Sequence, residues 1–132
     1  MATLCRGEDL FLDALPYNAH TTASDTLWAG LPVVTQIGNS FAGRVAASLL
    51  NAFGLPELIA RTSEEFEALA IDLALNKQKL HGVRERLREN RLTAPLLEGG
   101  LYTKHLEAAF EAMHRRYQAG LAPDHIEIQA LG

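Results

Sequence analysis

The sequence predicts an α/β fold, a short and mainly parallel sheet with flanking helices. Three observations carry this. Leu10-Phe11-Leu12 and Val33-Val34-Thr35-Gln36-Ile37 are apolar or β-branched runs of strand character. Segments of helical period lie between and after them, so strands and helices alternate. The chain has 132 residues and 48% hydrophobic content, enough for one domain with a real core.

The first run is apolar at consecutive positions, as in a strand buried on both faces. Asp13 ends it, and Pro16 and Asn18 mark a turn. A helix is expected from about Thr22, closed by Gly30 and barred from continuing by Pro32. Leu27 and Trp28 are expected to pack it on the sheet, with Trp28 in the core. The second strand follows, and Gly38-Asn39-Ser40 makes a loop at its carboxyl end. Asn39 or Ser40 is expected to cap a helix over 41–53, with Val45, Leu49 and Phe53 as its apolar stripe and Gly54 as its stop. Arg44 falls in the first turn, unfavourable for a cation against the helix dipole, so an ion pair or a ligand phosphate is expected there. Glu57-Leu58-Ile59-Ala60 reads as a short third strand or extended segment.

Thr62 with Glu65 three residues on is a capping box. Phe66, Leu69, Leu73, Leu80, Val83 and Leu87 then fall on one face, which predicts a helix to about Asn90 with a bend at Gly82. Lys77, Lys79, Arg84, Arg86, Arg88 and Arg91 make this stretch basic, and a solvated face accounts for them. Pro95 and Gly99-Gly100 read as breaks. A last helix is expected over 102–118, with Leu106, Phe110, Met113 and Tyr117 as its stripe and Gly120 and Pro123 as its end, followed by a loosely held tail over 124–132.

Composition narrows the function. The net charge is −4, which argues against a nucleic-acid partner. Cys5 is the single cysteine, so no internal disulfide forms and a reducing, cytoplasmic compartment is expected. No apolar run reaches the length of a membrane span, and residues 1–10 do not read as a signal peptide. His20, His81, His105, His114 and His125 show no zinc-ligand spacing. There is no nucleophile elbow, no Gly-Lys phosphate loop and no internal repeat.

The segment from Tyr17 to Asp25 carries the candidate chemistry. It follows a strand, and open α/β sheets bind ligands at the carboxyl ends of strands. Thr21 and Thr22 fall where the first backbone N–H groups of the helix lack partners. A hydroxyl there can cap the helix, and the same positive end can hold a phosphate. Asp25, one turn on, can accept from a ribose hydroxyl, with His20 at the lip. A capped strand–loop–helix unit and a phosphate-plus-ribose grip both fit these residues.

His20-Thr21-Thr22-x-x-Asp25, followed by Leu27-Trp28-Ala29-Gly30-x-Pro32-Val33-Val34-Thr35, resembles the donor-site segment of the O-GlcNAc transferase family. The likeness continues through Arg44-Val45-Ala46-Ala47-Ser48 and Gly54-Leu55-x-Glu57-Leu58-Ile59-Ala60. It persists to Tyr117-x-Ala119-Gly120-x-x-Pro123-Asp124-His125. The resemblance implies a partial Rossmann-like domain, the closing part of a GT-B donor domain. Residues 9–60 would form its donor-site βαβ units and residues 62–120 its C-terminal helices. Family members often carry tetratricopeptide repeats ahead of this core.

The resemblance further implies transfer of GlcNAc from UDP-GlcNAc to Ser or Thr of a protein acceptor, without a metal or other cofactor. Thr21 and Thr22 would hold the diphosphate, Asp25 the ribose, and His20 the sugar or diphosphate. Tyr17 and Asn18 would line the pocket, Tyr17 standing where animal members tend to have Cys. The family's catalytic and base-binding groups lie upstream of these motifs, so no residue here is expected to be catalytic, and the chain alone should be inactive. Another donor, supplying glucose or fucose, and a non-enzymatic interaction domain are the alternatives. The first strand is expected to expose an unpaired edge, which invites self-association or fraying.

Overall fold

The computed structural model describes residues 9–94 and 97–129, so Cys5 and Pro95 lie outside the described residues. The chain divides into two compact units, Met1–Ala94 and Pro95–Gly132.

In the first unit, β1 (Phe11–Leu12), β2 (Val33–Gln36) and β3 (Ile59–Ala60) form a sheet in the order β1-β2-β3. Both pairings are parallel, with Phe11 opposite Val33 and Thr35 opposite Ile59. The crossovers are α1 (Thr21–Trp28) and α2 (Val45–Ala52), which pack on β2 and on each other. Right-handed connections in this strand order place both helices on one face. α3 (Ser63–Leu75) packs on β2 and β3 and is backed by α4 (Lys77–Asn90). Val33, Val34 and Thr35 are all fully buried, so β2 is covered on both faces.

The strand expected to be buried on both faces is therefore β2, not β1. Leu12 is 54% exposed, because β1 is two residues long and ends the sheet. Gly30 and Gly54 close α1 and α2 at φ +87° and +69°, a conformation that side chains with a Cβ resist. α2 starts four residues later than expected. Ser40 spends its hydroxyl on a turn, accepting from the Gly43 amide at 3.1 Å, and so caps no helix. The buried face of α2 is Ala46, Ala47 and Leu50, with Phe53 after it, a quarter turn or so from the expected stripe. Small alanines there let the helix approach the sheet closely. A 3₁₀ turn, Pro56–Leu58, precedes β3.

The helix predicted to run unbroken to Asn90 is two helices. Asn76 ends α3 and caps α4, its side chain accepting from the Lys79 amide at 3.0 Å. An Asn that can satisfy a helix start competes with continuing the previous helix. Gly82 lies inside α4 and marks no break. The capping box forms: the Thr62 hydroxyl accepts from the Glu65 amide at 3.2 Å. Glu65 reaches back to the Arg61 amide at 2.7 Å, one residue beyond the cap. Leu73, Leu80, Val83 and Leu87 are buried and Phe66 and Leu69 partly so, as the periodicity requires. Lys79 pairs with Asp72, Arg86 with Glu57 and Arg84 with Asp9, which accounts for half of the basic run on the surface.

In the second unit, α5 (Gly99–Gln118) begins on the two glycines expected to break the chain. None of its residues is buried, and the stripe Leu106, Phe110, Met113 and Tyr117 is exposed. Leu121, Pro123 and Ile126 line an open cavity with Met113 and Tyr117 at the end of this stripe. Gly120 closes the helix. The segment after it is not loose at its start: Arg116 Nε donates to the Ala122 carbonyl at 2.6 Å, and Arg116 pairs with Asp124 at 3.1 Å.

Candidate functional site

The site is built on two loops at the C-terminal rim of the sheet, the one after β1 and the one after β2. Asp13 ends β1 and is buried. One of its carboxylate oxygens accepts from the Thr35 hydroxyl of β2 at 2.7 Å. The other accepts from the Ala19 amide, also at 2.7 Å. The loop therefore leaves the sheet and is tied back to it just before α1.

The second loop is closed on itself, the Gly38 amide donating to the Gly43 carbonyl at 2.7 Å. A Cβ on Gly43 would stand 3.2 Å from the Gly38 Cα and 3.3 Å from the Pro16 carbonyl oxygen. This close approach brings Ala42 against the first loop. The Ala42 carbonyl accepts from the Asn18 amide at 2.9 Å and meets His20 Nε2 at 3.3 Å. A carbonyl only accepts, so His20 donates from Nε2 in this contact. Tyr17 stacks on the imidazole with centroids 4.7 Å apart, and Phe41 meets its edge at 6.1 Å. His20 is thus held on three sides by groups from both loops.

α1 then starts without a cap. His20 occupies the N-cap position, no side chain accepts from the first turn, and no acidic residue lies in it. The cap expected from a threonine hydroxyl does not form, because Thr21 and Thr22 lie inside the first turn and not before it. Both threonines are exposed. The first-turn N–H groups have no partner within the helix and carry partial positive charge. Asp25 follows at i+3 from Thr22 and i+4 from Thr21, on the same helix face and half-buried. Thr26 is turned inward, its hydroxyl donating to the Thr22 carbonyl at 2.6 Å.

The structure brings His20, Thr21, Thr22, Asp25 and Tyr17 to one rim. Asn18 departs from the expectation that it lines the site: it is 1% exposed. Its side-chain nitrogen donates to the Ala14 carbonyl at 3.2 Å, while its buried Oδ1 has no hydrogen-bond partner among the described residues. Trp28, expected in the core, is half-exposed at the far end of α1 with Arg91 over its ring. Arg44 is exposed and has no ion pair among the described residues. It lines an open cavity of about 550 Å³ with Phe41, Ser48 and Asn51. Sequence reasoning missed Asp13, Thr35, Phe41 and Ala42. Asp13 was legible only as a strand terminator, and Ala42 acts through its backbone. Among the described residues no cluster of His, Cys, Asp and Glu could hold a metal ion. No helix among them is long and apolar enough to cross a membrane.

Residues 4–106 match glycosyl transferase family 41. The chain belongs to that family. The chain is 40% identical over 121 residues to the probable UDP-N-acetylglucosamine–peptide N-acetylglucosaminyltransferase SEC of Arabidopsis thaliana. It is 37% identical over 118 residues to the UDP-N-acetylglucosamine–peptide N-acetylglucosaminyltransferase of Caenorhabditis elegans. These matches cover 91% and 89% of the chain but only 12% and 10% of the relatives, so the chain spans about an eighth or less of their length. The solved structure of a mutant O-GlcNAc transferase from Thermobaculum terrenum superposes with a TM-score of 0.80 at 38% identity. That match covers 85% of this chain and 22% of the other. Family 41 membership and this superposition make the short parallel sheet with its helices part of a glycosyltransferase catalytic domain.

Proposed function

We propose that this chain is the donor-binding segment of a protein glycosyltransferase that moves GlcNAc from UDP-GlcNAc to Ser or Thr hydroxyls. The observation that carries the proposal is the open tip of α1: an uncapped helix start, two exposed threonine hydroxyls and a carboxylate on the same face. Thr21 and Thr22, with the first-turn amides, hold the diphosphate. Asp25 accepts from the ribose hydroxyls, and His20 faces the diphosphate or the sugar, with Tyr17 beside it. The activities for which the relatives are named support the choice of donor.

The chemistry suits such a tip. Transfer releases a nucleoside diphosphate, and the leaving oxygen gains negative charge as the glycosidic bond breaks. Fixed N–H dipoles and hydroxyls aimed at that charge stabilise it without rearranging. No metal is needed in this reading. The attacking hydroxyl comes from the acceptor protein, and the base and the groups that bind that acceptor lie outside these residues, so the chain alone binds nucleotide weakly and transfers nothing. A cytoplasmic setting belongs to the same reading and rests on the single Cys5.

The test is an amide chemical-shift titration of the 132-residue chain with UDP, UDP-GlcNAc and GDP. Shifts concentrated in residues 17–25, larger for UDP than for GDP, are the expected result. Equal response to GDP overturns the choice of donor, and no response at millimolar ligand overturns the binding role.

A further inference from the structure

The loop that delivers His20 and the threonines to the tip of α1 hangs on one buried carboxylate. From this we infer that Asp13 is a positioning residue of the anion seat, and that its charge works against the anion it helps to seat. The inference rests on the reading of the α1 tip given above.

Asp13 is 8% exposed, and no salt bridge reaches it among the described residues. Its two oxygens are both used, one on the Thr35 hydroxyl of β2 and one on the Ala19 amide, each at 2.7 Å. Ala19 is one residue before the N-cap and two before Thr21. Nothing else among the described contacts ties Ala19 to the sheet. Without this strap the chain between β1 and α1 would be fixed only from its other side, through the Asn18 and His20 contacts with Ala42. The carboxylate therefore sets where the first-turn amides point.

The same geometry carries an electrostatic cost. A buried carboxylate bonded at the residue before the N-cap draws on the positive end of α1, the feature that attracts a diphosphate. A carboxylate shielded from water and bonded to the amide two residues before Thr21 repels an arriving anion more than a surface charge would. An isosteric amide separates the two roles. In Asp13→Asn, the side-chain oxygen still accepts from the Ala19 amide, while the amide nitrogen donates to a Thr35 hydroxyl that has turned around. Geometry is kept and the charge is gone.

The experiment titrates the 132-residue wild type, Asp13→Asn, Thr35→Val and Thr35→Ser with UDP and with inorganic pyrophosphate. The ligand-free Ala19 amide shift is read in each variant. Asp13→Asn should bind both probes several-fold more tightly than wild type, with α1 resonances in place. Thr35→Val cuts one arm of the strap and should bind several-fold more weakly, and Thr35→Ser should restore wild-type affinity. A folded Asp13→Asn that binds as weakly as Thr35→Val, or a Thr35→Val that binds as wild type, overturns the role of Asp13 and leaves the seat standing. A wild type that binds neither probe overturns the seat and this inference with it.

Discussion

Arg91 holds Trp28 from two directions. Its Nη1 donates to the Trp28 carbonyl at 2.8 Å, and its guanidinium carbon lies 5.3 Å from the centre of the Trp28 ring. The Trp28 carbonyl belongs to the last turn of α1, where carbonyls lack helical partners and a cation is favourable. Arg91 directly follows α4, so one side chain pins the end of that helix to the end of α1. The indole is half-exposed because it serves as a platform for a cation and not as core filling. Arg91→Ala should lower stability by about 1–3 kcal/mol, since it removes a charge-assisted hydrogen bond and a partly exposed cation–π contact. Arg91→Lys should recover only part of this, because an ammonium lacks the planar fork that serves carbonyl and ring together. Denaturant unfolding followed by Trp28 fluorescence, the chain's single tryptophan, measures both variants.

Threonines stand at the starts of α1 and α3, and the structure gives them opposite duties. Thr62 caps α3, while Thr21 and Thr22 cap nothing. Thr62→Ala should cost about 1 kcal/mol of stability and leave nucleotide binding unchanged. Thr21→Val with Thr22→Val should do the reverse, because Thr and Val have similar helix propensities and no cap is lost. UDP affinity should fall about ten-fold, the loss of roughly one hydrogen bond to a charged group. Thermal unfolding and a UDP titration on the same samples separate the two effects.

Glu64 provides a local check on the α3 cap. Its carboxyl is held below its ordinary value of 4.5, first by its own backbone amide and second by the Thr62 hydroxyl. A depressed carboxylate favours folding above its unfolded pKa, and that contribution is lost as the pH falls through the folded value. Thr62→Ala should therefore move the Glu64 titration upward, towards that of an ordinary glutamate. Carbon-detected titration of the side-chain carboxyl between pH 2 and about 7 reads this directly.

The back-to-back glycines make a steric prediction. An added Cβ at Gly43 meets backbone atoms of Gly38 and Pro16 at 3.2 and 3.3 Å, and neither can rotate away. Gly43→Ala should cost about 1–3 kcal/mol. It should also shift Ala42 and so disturb the stack of Tyr17 on His20, seen as a change in the His20 imidazole nitrogen shifts. Gly82→Ala has open space around it and a helical backbone, and should gain about 0.5–1 kcal/mol instead.

β1 ends the sheet among the described residues, with Leu12 more than half exposed. A free strand edge pairs with another chain or frays. Sedimentation of the 132-residue chain should show concentration-dependent association, or amide exchange should show fast opening at residues 11–13. A monomer with slow exchange there contradicts both outcomes.

Much of this protein was already written in local sequence. The β-branched run at Val33, the capping box at Thr62 and the apolar face from Phe66 to Leu87 depend on neighbours a few residues away, and periodicity and cap chemistry report such neighbours faithfully. The motif around His20, Thr21, Thr22 and Asp25 was legible for the same reason, since all four lie within two turns of chain. What only the tertiary structure decided involves partners far apart. Thr35 is 22 residues from Asp13, and Arg91 is 63 from Trp28. The Ala42 carbonyl that orients His20 lies 22 residues along and has no side-chain signature at all. Whether a leucine such as Leu12 or a tryptophan such as Trp28 is covered depends on which elements arrive beside it. Local pattern states that a residue can be buried, and packing alone settles whether it is.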